Sequence, residues 1–91
     1  MKPVRIHAGL LKELRALPAA ERRVLGTRIA EIQAAMGQPH RHRGLGLRKL
    51  RDGFFEARLS LGRRFIFEET PEALVFEFLG NHDEVRRFLR S

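Results

Sequence analysis

The segment "FFEARLSLGRRFIFEETPEALVFEFLG", residues 54–80, decides the fold of this 91-residue chain. It contains three apolar runs rich in phenylalanine, and the turns between them are short and contain glycine or proline. Runs of this kind are typical of β-strands, and short turns between them indicate an antiparallel meander. The segment therefore predicts strands at residues 54–60, 63–69 and 73–80.

The length of the first turn determines which side chains share a face, because a shift of one residue moves every side chain to the other face. A two-residue turn places Arg58 opposite Phe65, whereas a three-residue turn at residues 60–62 places Arg58 opposite Arg64. The second choice separates apolar from charged side chains, and it puts Gly62 where such a turn favours a left-handed residue. It predicts an apolar face of Phe55, Ala57, Phe65, Phe67, Phe76 and Phe78, and an uncovered polar face of Glu56, Arg58, Arg64, Ile66 and Glu77.

Two amphipathic helices are predicted before the sheet. Apolar residues recur at helical spacing from Ala8 until Pro18 interrupts the pattern, and again from about Ala19 to Met36. Residues 3–6 begin with a proline and predict a short edge strand. The predicted fold class is α+β, with the two N-terminal helices packed on a twisted antiparallel sheet and a short C-terminal helix. Residues 1–91 form one domain in this interpretation.

The charge of the chain favours polyanionic partners. Its formal net charge is +7, and nucleic acids are the commonest polyanions that such a chain meets, although an acidic protein would satisfy the same field. The absence of cysteine excludes a disulfide framework, a thiolate metal site and a cysteine nucleophile. The N-terminus has no long apolar stretch, so we expect a cytoplasmic protein without a membrane span.

Basic residues concentrate in one loop and on one face of the predicted sheet. Residues 37–53 contain four glycines and no clear period, and long loops of this kind are often functional. Arg58 and Arg64 lie side by side on the polar face, where like charges destabilise a sheet by about 0.2–1 kcal/mol. Either Glu56 or Glu77 neutralises the pair, or the two arginines form a binding site for an anion.

The order of elements resembles the RelE/ParE superfamily of type II toxin–antitoxin toxins. The most specific parts of the resemblance are "LRKLRDGFFEARLSLGRRFIFEE" and "LGNHDEVRRF". They contain a basic loop, a strand that ends in basic residues, a glycine turn, an arginine that heads the next strand, and a glycine followed by a histidine.

The resemblance implies an activity and a set of site residues. Many members of the superfamily are ribosome-dependent endoribonucleases that cut mRNA without a metal or cofactor, whereas others inhibit DNA gyrase by protein binding. The nuclease is the preferred interpretation here, and the gyrase inhibitor or a catalytically weak relative is the alternative. The matching positions imply catalytic roles for Arg64, His82 and Arg58, and contacts of Lys49 and Arg51 with the RNA backbone. Glu56 completes the predicted catalytic set, as a carboxylate that could serve as the base. The predicted RNA-binding set also includes three further basic residues, Arg48, Arg43 and Arg86.

Several positions depart from the pattern of the nucleases or admit another reading. Arg86 stands where several nucleases carry tyrosine or phenylalanine, and Glu56 stands where some carry a catalytic lysine. His82 follows a strand, where a histidine often only caps backbone groups. The pair His40 and His42 lacks a third ligand, so no metal site is expected.

The resemblance also implies a cognate antitoxin as a partner. An acidic or amphipathic segment of the antitoxin would lie across the basic groove and contact exposed apolar side chains such as Ile66 and Leu79.

Overall fold

A computed structural model of the protein describes residues 1–38 and 41–90, with Arg43 described in its backbone only. The predicted fold class is confirmed. The helices and strands predicted from the sequence are present, and one additional strand lies in the segment predicted as a loop. In chain order the elements are β1 (Val4–Ile6), α1 (Ala8–Arg15), α2 (Ala19–Ala35), β2 (Leu47–Lys49), β3 (Phe54–Arg58), β4 (Arg64–Glu69), β5 (Leu74–Gly80) and α3 (His82–Arg90).

The five strands form a mixed sheet in the order β1-β5-β4-β3-β2. Strands β2 to β5 are antiparallel neighbours, as the meander predicted, whereas β1 joins β5 in parallel at the edge. The edge position of β1 follows from Pro3, which lacks an N–H group and offers only its carbonyl, here to Leu74 N at 2.9 Å. Parallel pairing of β1 with β5 is possible because the connection between them is long and contains α1, α2 and the strands β2 to β4.

The additional strand β2 is joined to β3 by a tight turn. Asp52 and Gly53 have φ angles of 47° and 83°, and Phe54 N donates to Arg51 O at 2.7 Å. Two consecutive residues with positive φ are typical of a type I′ hairpin turn, for which Asp-Gly is a favoured pair. The Asp-Gly pair was therefore the sequence signal that would have predicted this strand.

The register of the β3–β4 hairpin matches the prediction. Arg58 lies opposite Arg64, and Leu59 N donates to Arg63 O at 2.9 Å. The expected left-handed conformation of Gly62 is wrong, because the described glycines with positive φ are Gly37, Gly46 and Gly53. The turn is stabilised instead by a hydrogen bond from Gly62 N to Ser60 Oγ at 3.3 Å.

A β-bulge in β5 changes the predicted faces of the sheet. Phe67 pairs with Phe76 and Ile66 pairs with Phe78, so Glu77 is an extra residue on β5. Beyond the bulge the faces exchange, and the prediction that Phe78 joins the helix-covered face is wrong. Phe78 instead stacks on Phe88 of α3 with the ring centroids 5.2 Å apart.

The main core lies between the helix pair and the sheet, as predicted. Phe67 is fully buried and stacks on Phe55 and Phe76 with centroid distances of 5.5 and 4.9 Å. The buried members of this core are Leu10, Leu14, Leu25, Ile29, Ile32, Ala57, Phe65, Phe67, Leu74 and Phe76. None of the helices within residues 1–38 and 41–90 is both long and apolar enough to cross a membrane.

The opposite face of the sheet is half covered, because α3 packs on β4 and β5. Ile66 is fully buried and Val85 of α3 is nearly so. The expectation of a wholly uncovered polar face is therefore wrong for the part under α3. The remainder of that face stays open beside the first turn of α3.

Candidate functional site

The open part of the polar face forms a cleft with a volume of about 380 Å³. All four residues predicted as catalytic contribute to its lining, together with one residue predicted to bind RNA. The lining consists of Gly46, Leu47, Arg48, Glu56, Arg58, Arg64 and His82. Three arginines face a single carboxylate, so the cleft carries a formal charge of two positive when the histidine is neutral. It is therefore suited to an anion.

Strand pairing brings the residues of the cleft together. Arg64 lies opposite Arg58 on β3 and opposite Gly80 on β5, and His82 follows Gly80 by two residues. A Cβ atom on Gly80 would come within 2.6 Å of Phe78 Cε2 and 3.0 Å of Glu84 Oε1. Glycine is needed here because β5 and the first turn of α3 approach each other closely, and this approach places His82 beside the arginines.

The first turn of α3 is capped by residues other than His82. Asn81 Oδ1 accepts from Glu84 N at 2.8 Å, and Glu84 Oε1 accepts from Asn81 N at 2.8 Å. This reciprocal pair is a capping box. His82 itself is exposed, and its ring hydrogen-bonds to no residue in the described part of the chain. The structure therefore gives no support to the alternative in which His82 caps the helix, and the His82 ring is accessible to a ligand.

Glu56 lies at the centre of the cleft and contacts two arginines. Its side chain is only 6% exposed, and its Oε1 and Oε2 lie 3.2 Å from Arg64 Nε and 3.4 Å from Arg48 Nη2. The structure thus shows neutralisation by Glu56, one of the two alternatives given for the Arg58–Arg64 pair, at Arg64. Arg58 is exposed and forms no ion pair with any residue the structure describes. The other alternative, an anion site, therefore remains open at Arg58.

Arg64 retains hydrogen-bonding capacity although it lies beside Glu56. Its side chain is only 11% exposed, although it lies on the open part of the sheet face. Its Nε lies within ion-pair distance of Glu56, but the angle is unsuitable for a hydrogen bond, and Nε and Nη1 are buried without a hydrogen-bond partner among residues 1–38 and 41–90. Buried donors without an acceptor are costly. An anion in the cleft would supply the missing acceptor oxygens.

The other residues predicted to bind RNA are dispersed. Lys49 lies opposite Phe55 and Arg48 opposite Glu56, so Lys49 faces away from the cleft. The Arg51 guanidinium donates to the carbonyl of Leu89 near the end of α3, which gives Arg51 a structural contact. Arg86 lies in a separate cleft of about 310 Å³ with Asp83, Arg87 and Arg90, and the side chain of Arg43 lies outside the described part.

Gly46 is a member of the site that the sequence analysis did not identify. Its φ is +63°, and a Cβ atom there would lie 2.8 Å from Arg58 Cβ. Its carbonyl accepts from Arg58 N at 3.2 Å. The glycine thus allows the chain before β2 to approach Arg58 closely. The signal for it was the pair of glycines in "GLGL", residues 44–47.

The histidines of the loop do not build a metal centre in the part that is described. No group of three histidine, aspartate or glutamate side chains suited to a metal occurs among residues 1–38 and 41–90. His42 Nε2 lies 3.1 Å from Ala35 O, and its ring meets Phe55 edge-on with centroids 6.5 Å apart. His42 therefore links the loop to α2 and the core, and His40 lies outside the described residues.

The fold and the cleft define a small basic α+β domain in which arginines and one histidine gather where the sheet meets the C-terminal helix. More specifically, the chain has the fold of RelE-like toxins. Thus the predicted resemblance to the RelE/ParE superfamily is confirmed at the level of the fold.

Three solved structures illustrate this similarity. The archaeal RelE–RelB complex from Pyrococcus horikoshii OT3 has a TM-score of 0.66 and 21% identity, covering 88% of this chain and 93% of that chain. The RelB–RelE antitoxin–toxin complex from Methanococcus jannaschii has a TM-score of 0.60 and 15% identity, covering 92% of this chain and 96% of that chain. YafQ from E. coli strain BL21(DE3) has a TM-score of 0.58 and 14% identity, covering 93% of this chain and 98% of that chain. No protein-family model and no curated protein sequence matches the chain.

Proposed function

We propose that this protein is the toxin of a type II toxin–antitoxin system, and that it cleaves mRNA on the ribosome as a metal-independent endoribonuclease. The observation that carries the proposal is the convergence of Arg58, Arg64 and His82 on one cleft. A ribonuclease without a metal needs a group that moves protons and cations that stabilise a phosphate, and this cleft supplies both.

His82 is the proton-transfer group in this proposal. Its ring receives the proton of the ribose 2′-hydroxyl as the 2′-oxygen attacks the adjacent phosphorus. The imidazolium then returns a proton to the 5′-oxygen as the bond between phosphorus and that oxygen breaks. The products are a 2′,3′-cyclic phosphate and a 5′-hydroxyl. The exposure of His82 and the independent capping of α3 by Asn81 and Glu84 support this role.

Arg58 and Arg64 stabilise the charge that develops on the pentavalent phosphate. The buried Nε and Nη1 donors of Arg64 lack a hydrogen-bond partner in the described residues, and Arg58 forms no ion pair with them. Preorganised donors of this kind favour a transition state because they need little rearrangement when charge develops. Arg48 lies at the exposed rim of the same cleft and contacts the backbone of the RNA.

A cognate antitoxin is the partner that this function requires, and the similar structure from Methanococcus jannaschii is an antitoxin–toxin complex. The surface expected for it needs correction. Ile66 is fully buried, and Leu79 packs against the main core, so neither offers an exposed apolar contact. An acidic segment laid over the cleft is the better match, because it would neutralise Arg48 and Arg58.

The proposal is tested by inducing the protein in cells and mapping mRNA ends by primer extension. The expected result is growth arrest with new 5′ ends inside translated mRNA, and loss of both with the His82→Gln variant. A supercoiling assay with purified gyrase runs in parallel. Inhibited gyrase together with intact mRNA would contradict the nuclease proposal and favour the gyrase alternative.

A further inference from the structure

Glu56 is the one buried charged residue among the side chains that the structure describes. It lies in the proposed RNA-binding cleft, where the resemblance assigned it a catalytic role. An isolated buried carboxylate is costly unless cations or donors compensate it. The compensating groups are Arg48 and Arg64, so the contacts of Glu56 determine what it does in the cleft.

A general base needs an oxygen that can reach the proton of the substrate. Both carboxylate oxygens of Glu56 are already engaged, since Oε1 lies 3.2 Å from Arg64 Nε and Oε2 lies 3.4 Å from Arg48 Nη2. The side chain is only 6% exposed. The exposed ring of His82 is far more accessible for proton transfer. Geometry therefore separates Glu56 from the proton-transfer step.

The carboxylate resembles the anionic group that the cleft is proposed to bind. It places one oxygen beside the guanidinium of Arg64 and the other beside that of Arg48. A phosphate that approaches Arg64 would offer oxygens to the same two guanidinium groups. The carboxylate and the phosphate therefore compete for the same cations.

We propose that Glu56 is the internal counter-ion of this cleft, which holds Arg48 and Arg64 in place and competes with the bound phosphate instead of accepting a proton from the substrate. The inference rests on the proposed function of the cleft. It also specifies the substrate class. A single phosphate must compete with Glu56 for Arg64 and Arg48, whereas a polyanion such as single-stranded RNA gains a further contact at Arg58, which forms no ion pair with the described residues. The cleft should therefore prefer a strand to a free mononucleotide.

The test measures the binding of inorganic phosphate by titration calorimetry at constant ionic strength. Glu56→Gln removes the negative charge and keeps the shape of the side chain, so phosphate should bind about tenfold more tightly than to the parent protein. The matched control is Glu68→Gln, which makes the same charge change on β4 but lies outside the lining of the cleft. The control should bind phosphate within about twofold of the parent, because Glu68 contributes nothing to the lining of the cleft and salt screens distant charges. Unchanged or weaker phosphate binding by folded Glu56→Gln would overturn the proposal.

A second readout separates the counter-ion from a general base. Cleavage of ribosome-bound mRNA is measured under single-turnover, saturating conditions. Loss of a general base typically lowers the rate by about 10²–10⁴-fold, whereas loss of the counter-ion should lower it by less than about tenfold while phosphate binds more tightly. A loss of 10²-fold or more without tighter phosphate binding would contradict the inference.

Two further features keep the test decisive. If Glu56→Gln does not fold, Glu56→Asp is measured instead, because the shorter carboxylate cannot hold both arginines and should also bind phosphate more tightly. Unchanged phosphate binding by Glu56→Asp would then overturn the inference. Phosphate binding does not depend on cleavage. A parent protein that binds phosphate but leaves mRNA intact would therefore refute the proposed nuclease, and the phosphate titrations of the Glu56 variants would still decide the role of Glu56.

Discussion

Nε of Arg64 lies 3.2 Å from Oε1 of Glu56, and the side chains of Arg64 and Glu56 are 11% and 6% exposed. The ion pair relieves the repulsion that Arg64 meets from Arg58 on the neighbouring strand. It leaves Nε and Nη1 of Arg64 without a hydrogen-bond partner among the described residues. The cleft is therefore stable enough to fold when empty and still has donors for an incoming anion.

The planar set of N–H donors on the Arg64 guanidinium should contribute more to mRNA cleavage than its positive charge alone. Arg64→Lys keeps the positive charge but loses the planar group, and we expect mRNA cleavage to fall by about 10²–10³-fold while the domain stays folded. The measurement is single-turnover cleavage together with a thermal melt. The control is Arg63→Lys, since Arg63 contacts Glu21 of α2 at 3.3 Å and lies outside the cleft. A folded Arg64→Lys protein with parental activity would refute the assignment.

His82→Gln should reduce cleavage without reducing stability. Glutamine keeps hydrogen-bonding capacity but cannot move a proton at neutral pH, so we expect the rate to fall by at least about tenfold. Ribosome binding and the melting temperature should be unchanged, because Asn81 and Glu84 cap α3. Asn81→Ala is the matched comparison and should lower the free energy of unfolding by about 0.5–2 kcal/mol. Cleavage by His82→Gln at the parental rate would exclude a catalytic role.

Gly46→Ala should impair both folding and RNA binding. The φ of Gly46 is +63°, and the new Cβ would lie 2.8 Å from Arg58 Cβ. The left-handed conformation alone costs alanine about 1–2 kcal/mol, and the contact displaces Arg58. Chemical denaturation and RNA titration measure the two effects. Gly44→Ala is the control, because its Cβ would meet nothing within 4 Å, and equal behaviour of the two variants would contradict this account.

Phe67→Ala should destabilise the whole domain through a cavity in the main core. Phe67 is fully buried and stacks on Phe55 and Phe76, so we expect a loss of about 3–5 kcal/mol in the free energy of unfolding. Urea denaturation followed by circular dichroism measures it. Leu61→Ala serves as the control, since Leu61 is 94% exposed. A loss below about 1 kcal/mol for Phe67→Ala would mean that the core is packed differently.

Binding to single-stranded RNA should depend strongly on salt. The three arginines of the cleft contribute about 0.7 each to the slope on a single strand, so we expect the affinity to fall about 20-fold between about 50 and 200 mM salt. Arg58→Ala should reduce the slope of log affinity against log salt by about 0.7, the value for one contact on a single strand. Lys12→Ala, on α1 and away from the cleft, should leave the slope unchanged. A flat salt response of the parent would exclude the basic cleft as the RNA-binding surface.

Much of the fold could be predicted from the sequence because local patterns determine it. The period-two alternation in residues 54–80 and the length of the first turn specify which face of β3 and β4 is apolar, and that specification places Arg58 opposite Arg64. The helical spacing of leucine and isoleucine predicts the helix pair that covers that face. Strand register also brings Arg58 and Arg64 together in the candidate site, whereas Lys49, Arg51 and Arg86, which were predicted to bind RNA, lie outside the cleft.

The tertiary structure alone decided how the site is completed. The bulge at Glu77 exchanges the faces of β5, so Phe78 packs on α3 and Leu79 on the main core. This packing, together with the contact of Arg51 with Leu89, fixes α3 and places His82 at the cleft. The burial of Glu56 between Arg48 and Arg64 likewise depends on segments distant in sequence. Local periodicity specifies the face on which a side chain lies, whereas burial and ion pairing depend on which distant segment packs against that face.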